Sequence, residues 1–189
     1  MKYLSTTLAT LALILSQPAS GFAEDKPAEN EGSGIMHHGK ETLDSLQGNG
    51  RVTLEGTHIK NALKVNGSLF GHKASVGSLD VGGHAHLVKS EVLGKSHVSG
   101  FFSAEKSNFK DTIVLTGQKL TLQNCRVKAI HVKNTHWPWM SQVVELSKHS
   151  VCKVNITFDS GKGRVILKDK STLHGKAKGA VVEKNKQKK

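Results

Sequence analysis

The feature that most constrains this chain is an internal repeat of about 17 residues. A three-residue pattern recurs at intervals of 17, 16, 17 and 18 residues: a small residue, any residue, and then a β-branched or aromatic residue. These triplets begin at Thr57, Ala74, Ser90, Ser107 and Cys125. A second apolar element follows each triplet and ends at Gly or Asn, at 63–67, 79–83, 96–100, 113–117 and 130–134. We call a set of equivalent positions in successive repeats a column. Two columns that share one period indicate stacked copies of a single structural unit.

A unit of this length with strands of three to five residues cannot bury its apolar side alone. Stacked on copies of itself at roughly 4.8 Å, it forms parallel sheets. Only nine residues of the chain are aromatic, whereas 19 are Gly, which favours a thin core of small aliphatic side chains. We therefore predict an all-β fold, a parallel β-solenoid (β-helix) of about seven coils over residues 50–177. The alternative is an antiparallel sandwich, which does not require the whole unit to repeat in phase.

The N-terminal residues have the order of a secretory signal peptide. Lys2 precedes an unbroken apolar run from Leu8 to Leu15, and small residues lead up to Ala23. The run is much shorter than the roughly 20 residues that a membrane-spanning helix needs, although a membrane anchor is the alternative. We predict that 1–23 is a signal peptide cleaved after Ala23, that no transmembrane segment follows, and that the protein is periplasmic or secreted.

Two polar segments flank the predicted solenoid. Residues 24–49 are expected to be a linker in which Ile35, Leu43 and Leu46 form a short helix that caps the open first coil. Residues 178–189 are expected to be a solvated basic tail. The repeat domain between them carries the remaining predictions.

Two stretches of the repeat resemble the coils of a known family. LKVNGSLFG at 63–71 and LDVGGHAHLVKSEVLG at 79–94 are similar to coils of bactofilins, bacterial polymer-forming β-solenoids, and of related secreted repeat proteins. The resemblance covers roughly residues 50–135. It implies the solenoid fold and end-to-end assembly, but bactofilins work in the cytoplasm, unlike a chain with a signal peptide.

The two cysteines head triplets of the repeat, Cys125-Arg126-Val127 and Cys152-Lys153-Val154. If both occupy the small-residue column, they lie in successive coils within reach of a disulfide. An exported protein meets an oxidising compartment, so we predict a Cys125–Cys152 disulfide. The alternative is two buried thiols. Redox catalysis is not expected, because the sequence has no Cys-x-x-Cys pair.

An insertion at 134–142 interrupts the repeat and contains both tryptophans of the chain. Pro138 between them cannot continue a central strand, so the segment should leave the solenoid wall. Exposed tryptophans stack on sugar rings or anchor a partner, which makes His136, Trp137 and Trp139 ligand-binding candidates. The alternative is a lid that covers the apolar core.

The chain is basic, with a formal net charge of +12. Six of its 15 acidic residues lie within 24–44, so residues 45–189 combine 24 Lys and Arg with nine acids, a formal +15. The anion-binding candidates are the lysines near the C-terminus: Lys176, Lys178, Lys184, Lys186, Lys188 and Lys189. The expected partner is an anionic envelope polymer or a glycan. Nucleic acid is not expected, since its binding normally needs aromatic residues among the basic ones. The alternative is a solvated face that opposes aggregation.

Metal and catalytic sites are weakly supported. His84 and His86 are two residues apart on the outward side of a strand and form at most a weak metal site, so no metal or cofactor is predicted.

One outward column should read Lys64, Asp80, His97, Val114 and His131, and another His58, Ser75, Glu91, Asn108, Arg126 and Lys153. Neither column stacks two carboxylates, and Asp80 beside His97 has no Ser or Cys nucleophile in its column. We therefore assign no catalytic residue.

These patterns together predict an exported, non-enzymatic β-solenoid that acts as a scaffold or binding protein for an anionic or glycan partner. One alternative is a structural protein that self-associates end to end through its open coils. The other is a carbohydrate-active β-helix enzyme with a cleft near the tryptophans.

Overall fold

The fold of the chain is a parallel β-solenoid. A computed structural model describes residues 31–135 and 141–185, and the regular structure in those two ranges is entirely β. The strands are β1 (Glu31–His38), β2 (Thr42–Leu43), β3 (Leu46–Glu55), β4 (His58–His72), β5 (Ser75–Val81), β6 (His84–Val88), β7 (Glu91–Val92), β8 (Ser96–Val98), β9 (Phe102–Glu105), β10 (Asn108–Leu115), β11 (Lys119–Gln123), β12 (Arg126–Val132), β13 (Val143–Ser147), β14 (Val151–Cys152), β15 (Ile156–Phe158), β16 (Gly163–Lys168), β17 (Thr172–Leu173), β18 (Ala177–Lys178) and β19 (Ala180–Asn185).

Each coil passes through three parallel sheets, here called faces I, II and III. Face I contains β2, β7, β14, β17 and the first residues of β4, β5, β10 and β12. Face II contains the starts of β1 and β3, the middle of β4, β8, β15, β18 and the ends of β5, β10 and β12. Face III contains the ends of β1, β3 and β4, then β6, β9, β11, β13, β16 and β19. The predicted parallel β-solenoid is confirmed.

The solenoid has about nine turns instead of seven because both ends of the repeat extend further than predicted. Residues 31–49, expected to be linker, form β1, β2 and the start of β3. Ile35, Leu43 and Leu46 lie in these strands, so the short capping helix predicted from them is not formed. At the other end, β18 and β19 carry the fold to Asn185, into the segment expected to be a basic tail.

The core is a stack of inward columns, one residue from each coil. On face III one such column is paired from strand to strand between Val52 and Val165. Its members are almost completely buried: Val52, Leu69, Ala85, Phe102, Leu120, Val144 and Val165. The ring of Phe102 meets that of Phe109 edge to face, with centroids 5.5 Å apart. Because side chains alternate along a strand, the residues between these core positions point to solvent.

The small-residue column of the repeat forms a chain of hydrogen bonds at the corner between faces III and I. The Ser107 hydroxyl accepts from the Ser90 N–H at 3.1 Å and donates to the Glu105 carbonyl at 2.9 Å. Ser150 repeats the arrangement, accepting from the Cys125 N–H at 3.0 Å and donating to the Ser147 carbonyl at 2.7 Å. The position is small because it is buried, and polar because it satisfies the corner backbone.

Replacing Ser107 by alanine should destabilise the protein by about 1–3 kcal/mol, because the buried N–H of Ser90 loses its acceptor. Chemical denaturation of Ser107→Ala measures the loss. Ser99→Ala, which changes an exposed serine, is the control and should lie within about 0.5 kcal/mol of the parent. Equal stabilities of the two variants would show that the corner hydroxyl is dispensable.

Candidate binding face

Three consecutive coils place a lysine at the corner where face III ends. Lys73, Lys89 and Lys106 have φ values of 52°, 50° and 50°, in the left-handed region. The N–H of Lys73 donates to the Val88 carbonyl at 2.9 Å, and that of Lys89 donates to the Glu105 carbonyl at 2.8 Å. The corners therefore stack directly, and we call these three residues the lysine ridge.

The left-handed conformation is costly for lysine, at roughly 1–2 kcal/mol per residue, and is easier for Gly or Asn. The same corner does hold Gly56 in an earlier coil and Asn124 in a later one, with φ of 69° and 51°. The next two corners each hold two left-handed residues, Lys148 with His149 at φ of 51° and 65°, and Asp169 with Lys170 at φ of 50° and 59°. The corner thus accepts residues for which the left-handed conformation costs less free energy, yet most coils present an ammonium group there.

The ridge is exposed and only partly neutralised. The Lys106 ammonium lies 3.5 Å from the Glu105 carboxylate. Within the parts of the chain that the structure describes, no carboxylate lies within 4.0 Å of the Lys73 or Lys89 ammonium. Since coils repeat at roughly 4.8 Å, the ridge is a line of closely spaced positive charges parallel to the long axis.

Face III presents aromatic and imidazole rings beside this ridge. One outward column of paired residues runs through five coils: Thr53, Phe70, His86, Ser103 and Thr121. We define the aromatic patch as Arg51, Phe70, His84, His86 and Phe101. The large rings of Phe70 and Phe101 are 44% and 47% exposed.

The rings of the patch contact one another. The His84 ring stacks on that of Phe101, with centroids 5.3 Å apart and planes within 6°. The Arg51 guanidinium lies 5.9 Å from the centroid of Phe70. Phe70 and His86 meet at 6.2 Å and 58°, and the His86 Nδ1 is hydrogen-bonded to the Ser103 hydroxyl at 2.7 Å. Sequence reasoning treated the two histidines as a pair and missed their aromatic neighbours one coil away.

A column of glycines lines the opposite edge of face III, at the corner with face II. Gly50 and Gly67 have φ of 119° and 142°. A Cβ on Gly67, Gly83, Gly100 or Gly117 would overlap the carbonyl oxygen of the glycine one coil earlier. Only glycine allows this close stacking, and it leaves a strip of bare backbone beside the aromatic patch.

The tryptophan-containing insertion begins and ends at this same corner. Gln142 is buried and donates to the Gly117 carbonyl at 3.2 Å and to the Lys133 carbonyl at 2.8 Å. The ligand-binding candidates His136, Trp137 and Trp139 lie outside the described residues. So do Lys186, Lys188 and Lys189, whereas Lys176, Lys178 and Lys184 are exposed in the last coil.

The predicted weak metal pair is not supported by any further ligand. His84 and His86 are exposed on one face as expected, but one ring stacks on Phe101 and the other bonds to Ser103. Among residues 31–135 and 141–185, no group of three His, Cys, Asp or Glu side chains could hold a metal ion.

A carboxylate–imidazole–hydroxyl chain crosses three coils on face II. Asp80 Oδ1 lies 3.3 Å from His97 Nδ1, and His97 Nε2 lies 3.2 Å from the Thr116 hydroxyl. Sequence reasoning found the first pair but missed Thr116, which follows the expected column by two residues. A catalytic triad holds its carboxylate buried, whereas Asp80 is 58% exposed. The chain is better described as surface hydrogen bonding, next to a shallow groove of about 300 Å³ that Lys64, Asn66 and Asp80 help to line.

The predicted disulfide is wrong, because the cysteines occupy different columns. Cys125 lies in the small-residue column, where its N–H meets Ser150, whereas Cys152 is paired with Val127 in the inward apolar column. After the insertion the predicted columns were displaced by two residues. The residue paired with Arg126 in the next coil is Val151 and not Lys153. Both thiols are free and buried.

Burial raises the pKa of each thiol from an ordinary value of 9.0 to about 11. The folded state therefore prefers the neutral thiol, so this contribution to stability is fully present below pH 9.0 and is lost as the pH rises toward about 11. We expect a thiol reagent to modify the native protein slowly and both cysteines after unfolding. A Cys125→Ser/Cys152→Val variant, matched to the two columns, should show a smaller loss of stability over this pH range. Rapid native modification would contradict the burial of the thiols.

Comparisons with protein-family models, with curated proteins and with solved structures found no match to this chain. The described part of the chain contains no helix long and apolar enough to cross a membrane.

Proposed function

We propose that this protein is a non-enzymatic binding rod, exported by its signal peptide, that holds a linear anionic polymer along the lysine ridge. The observation that carries the proposal is that Lys73, Lys89 and Lys106 occupy a strained backbone conformation in three stacked coils. Strained residues persist where function requires them, and asparagine at the same corner would relieve the strain but remove the charge.

The arrangement of the charges favours a polymer over a small anion. The lysines form a line along the rod and do not converge on one point, so each would meet a different anionic group. Such contacts are individually weak but act together on one chain. The surrounding positive charge, a formal +12 for the whole protein, also speeds the approach of a polyanion.

Binding to polygalacturonate and to polyphosphate tests this proposal. The variant Lys73→Asn/Lys89→Asn/Lys106→Asn should weaken binding about 100-fold near 0.1 M salt, at about 1 kcal/mol per lysine. Its thermal stability should be unchanged or raised, because asparagine suits the left-handed corner. High salt should weaken binding of the parent protein to both polymers.

A matched control removes the same charge from the corner between faces I and II. Lys95→Asn/Lys128→Asn/Lys153→Asn changes three exposed lysines there and should reduce binding by less than about fivefold through net charge alone. Equal losses in the two triple variants would reject the ridge as the binding site.

A second candidate function, end-to-end assembly, is favoured by the last coil. An open cleft of about 880 Å³ there has apolar residues such as Leu167, Leu173 and Val182 in its lining, together with Lys170 and Lys184. A second copy could add its first coil here, as the resemblance to bactofilins implies. Light scattering should then show a mass that rises with protein concentration, and Val182→Glu should lower it. A constant monomer mass would reject assembly.

The predicted role of Trp137 and Trp139 belongs to the same proposal, since their segment is attached at the edge of face III. The exposed lysines Lys176, Lys178 and Lys184 would extend the basic surface toward the last coil. Trp137→Ala/Trp139→Ala and Lys176→Gln/Lys178→Gln/Lys184→Gln test these contributions separately from the ridge.

A further inference from the structure

The aromatic patch indicates which class of polyanion the rod takes. Resting on the function proposed above, we propose that the ligand is an acidic polysaccharide whose sugar rings lie on face III and whose carboxylates or sulfates reach the lysine ridge. Phe70, His86 and Ser103 of the outward column each precede a ridge lysine by three residues. Column and ridge therefore run side by side about 10 Å apart, within the reach of a lysine stem and a sugar substituent.

The chemistry of the patch matches a sugar. A pyranose ring has apolar C–H surfaces and a rim of hydroxyls. The half-exposed rings of Phe70 and Phe101 offer apolar contact, and the His86 imidazole and the hydroxyls of Ser103 and Thr121 offer hydrogen bonds. Because successive coils present equivalent positions, a polymer parallel to the rod meets this combination repeatedly.

A single-stranded nucleic acid fits the patch less well. It binds by stacking bases on free aromatic faces. Here His84 lies flat on Phe101 at 5.3 Å, and Arg51 lies over Phe70 at 5.9 Å, so one face of each phenyl ring is already covered within the protein. The exposed remainder of the rings, with the nearby hydroxyls and imidazole nitrogens, suits the apolar C–H surface and hydroxyl rim of a sugar.

The carboxylates near the ridge are paired locally. Glu55 lies 2.7 Å from the His72 imidazole, and Glu105 lies 3.5 Å from the Lys106 ammonium. Lys73 and Lys89 are left as the strongest points of attraction for an acidic sugar, directly beside Phe70 and His86.

Binding of two polyanions, one with and one without sugar rings, distinguishes the contribution of the aromatic patch from that of the lysine ridge. Phe70→Ala/Phe101→Ala should weaken binding of polygalacturonate about tenfold and leave that of polyphosphate unchanged. Leu93→Ala/Val154→Ala, which truncates two exposed apolar residues outside face III, is the control and should change neither. Circular dichroism should show that both variants retain the parent fold.

The outcomes distinguish the two proposals. If the patch variant weakens both polymers equally or neither, or if polygalacturonate does not bind while polyphosphate does, the polysaccharide assignment is overturned and the ridge proposal stands. A patch variant that instead loses oligo-dT binding would make the ligand a nucleic acid and also overturn it. If the ridge variant leaves both polymers bound as before, the proposed function itself fails.

Discussion

Replacing Gly67 by alanine should destabilise the protein by about 3 kcal/mol or more. The residue has φ of 142°, a conformation that L side chains rarely adopt, and its Cβ would overlap the Gly50 carbonyl oxygen. The overlap cannot be relieved locally, because β4 is paired with β3 on one side and with β5 and β6 on the other. A thermal melt should show a midpoint lower by about 10 °C.

Gly39→Ala provides the comparison for this prediction. A Cβ at Gly39 meets no atom within 4 Å, and its backbone φ lies outside the left-handed region. This variant should melt within about 2 °C of the parent. Equal melting points for Gly67→Ala and Gly39→Ala would mean that the glycine column does not stack as the structure has it.

Replacing Phe102 by alanine should lower the free energy of unfolding by about 3–5 kcal/mol. The side chain is 1% exposed in the inward column of face III and packs edge to face against Phe109. Each coil is thin and is tied to its neighbours on three faces, so the cavity cannot collapse without breaking the pairing of β9 with β6 and β11.

Phe101→Ala is a matched control for the loss of a phenyl ring. Phe101 is the preceding residue but lies 47% exposed on the outer side, where its ring stacks on that of His84. The Phe101→Ala substitution should lower the free energy of unfolding by less than about 1 kcal/mol in a urea titration, while Phe102→Ala shows the large loss. The opposite order would require the inward and outward sides of face III to be exchanged.

Much of the fold could be predicted from the sequence because the repeat is regular in the middle of the chain. The column of Lys64, Asp80, His97, Val114 and His131 is paired as predicted. The prediction failed where the insertion broke the period. Beyond it, Ser150 and Cys152 are small residues two positions apart, and either could head the next triplet of the repeat. Only their contacts in the preceding coil, Ser150 with the Cys125 N–H and Cys152 with Val127, decide between them. The ends were missed because polar strands such as β1 and β19 resemble linkers when their parallel neighbours are unknown.

The candidate site was less predictable than the fold. The aromatic patch arises from Phe70, His84 and Phe101, which are 14 to 31 residues apart and meet only when coils stack in register. The lysine ridge was hidden because lysine carries no signal for a left-handed corner, unlike the Gly56 and Asn124 that share the position. The lysines singled out by their density near the C-terminus were a different set.

Mapping of backbone amide chemical shifts during titration with an oligogalacturonate tests the central claim most directly. The largest changes should fall on Phe70, His86 and Ser103 and on the ridge residues Lys73 and Lys89, with faces I and II little affected. Changes confined to residues 134–142 or to the C-terminal lysines, with face III silent, would contradict the account.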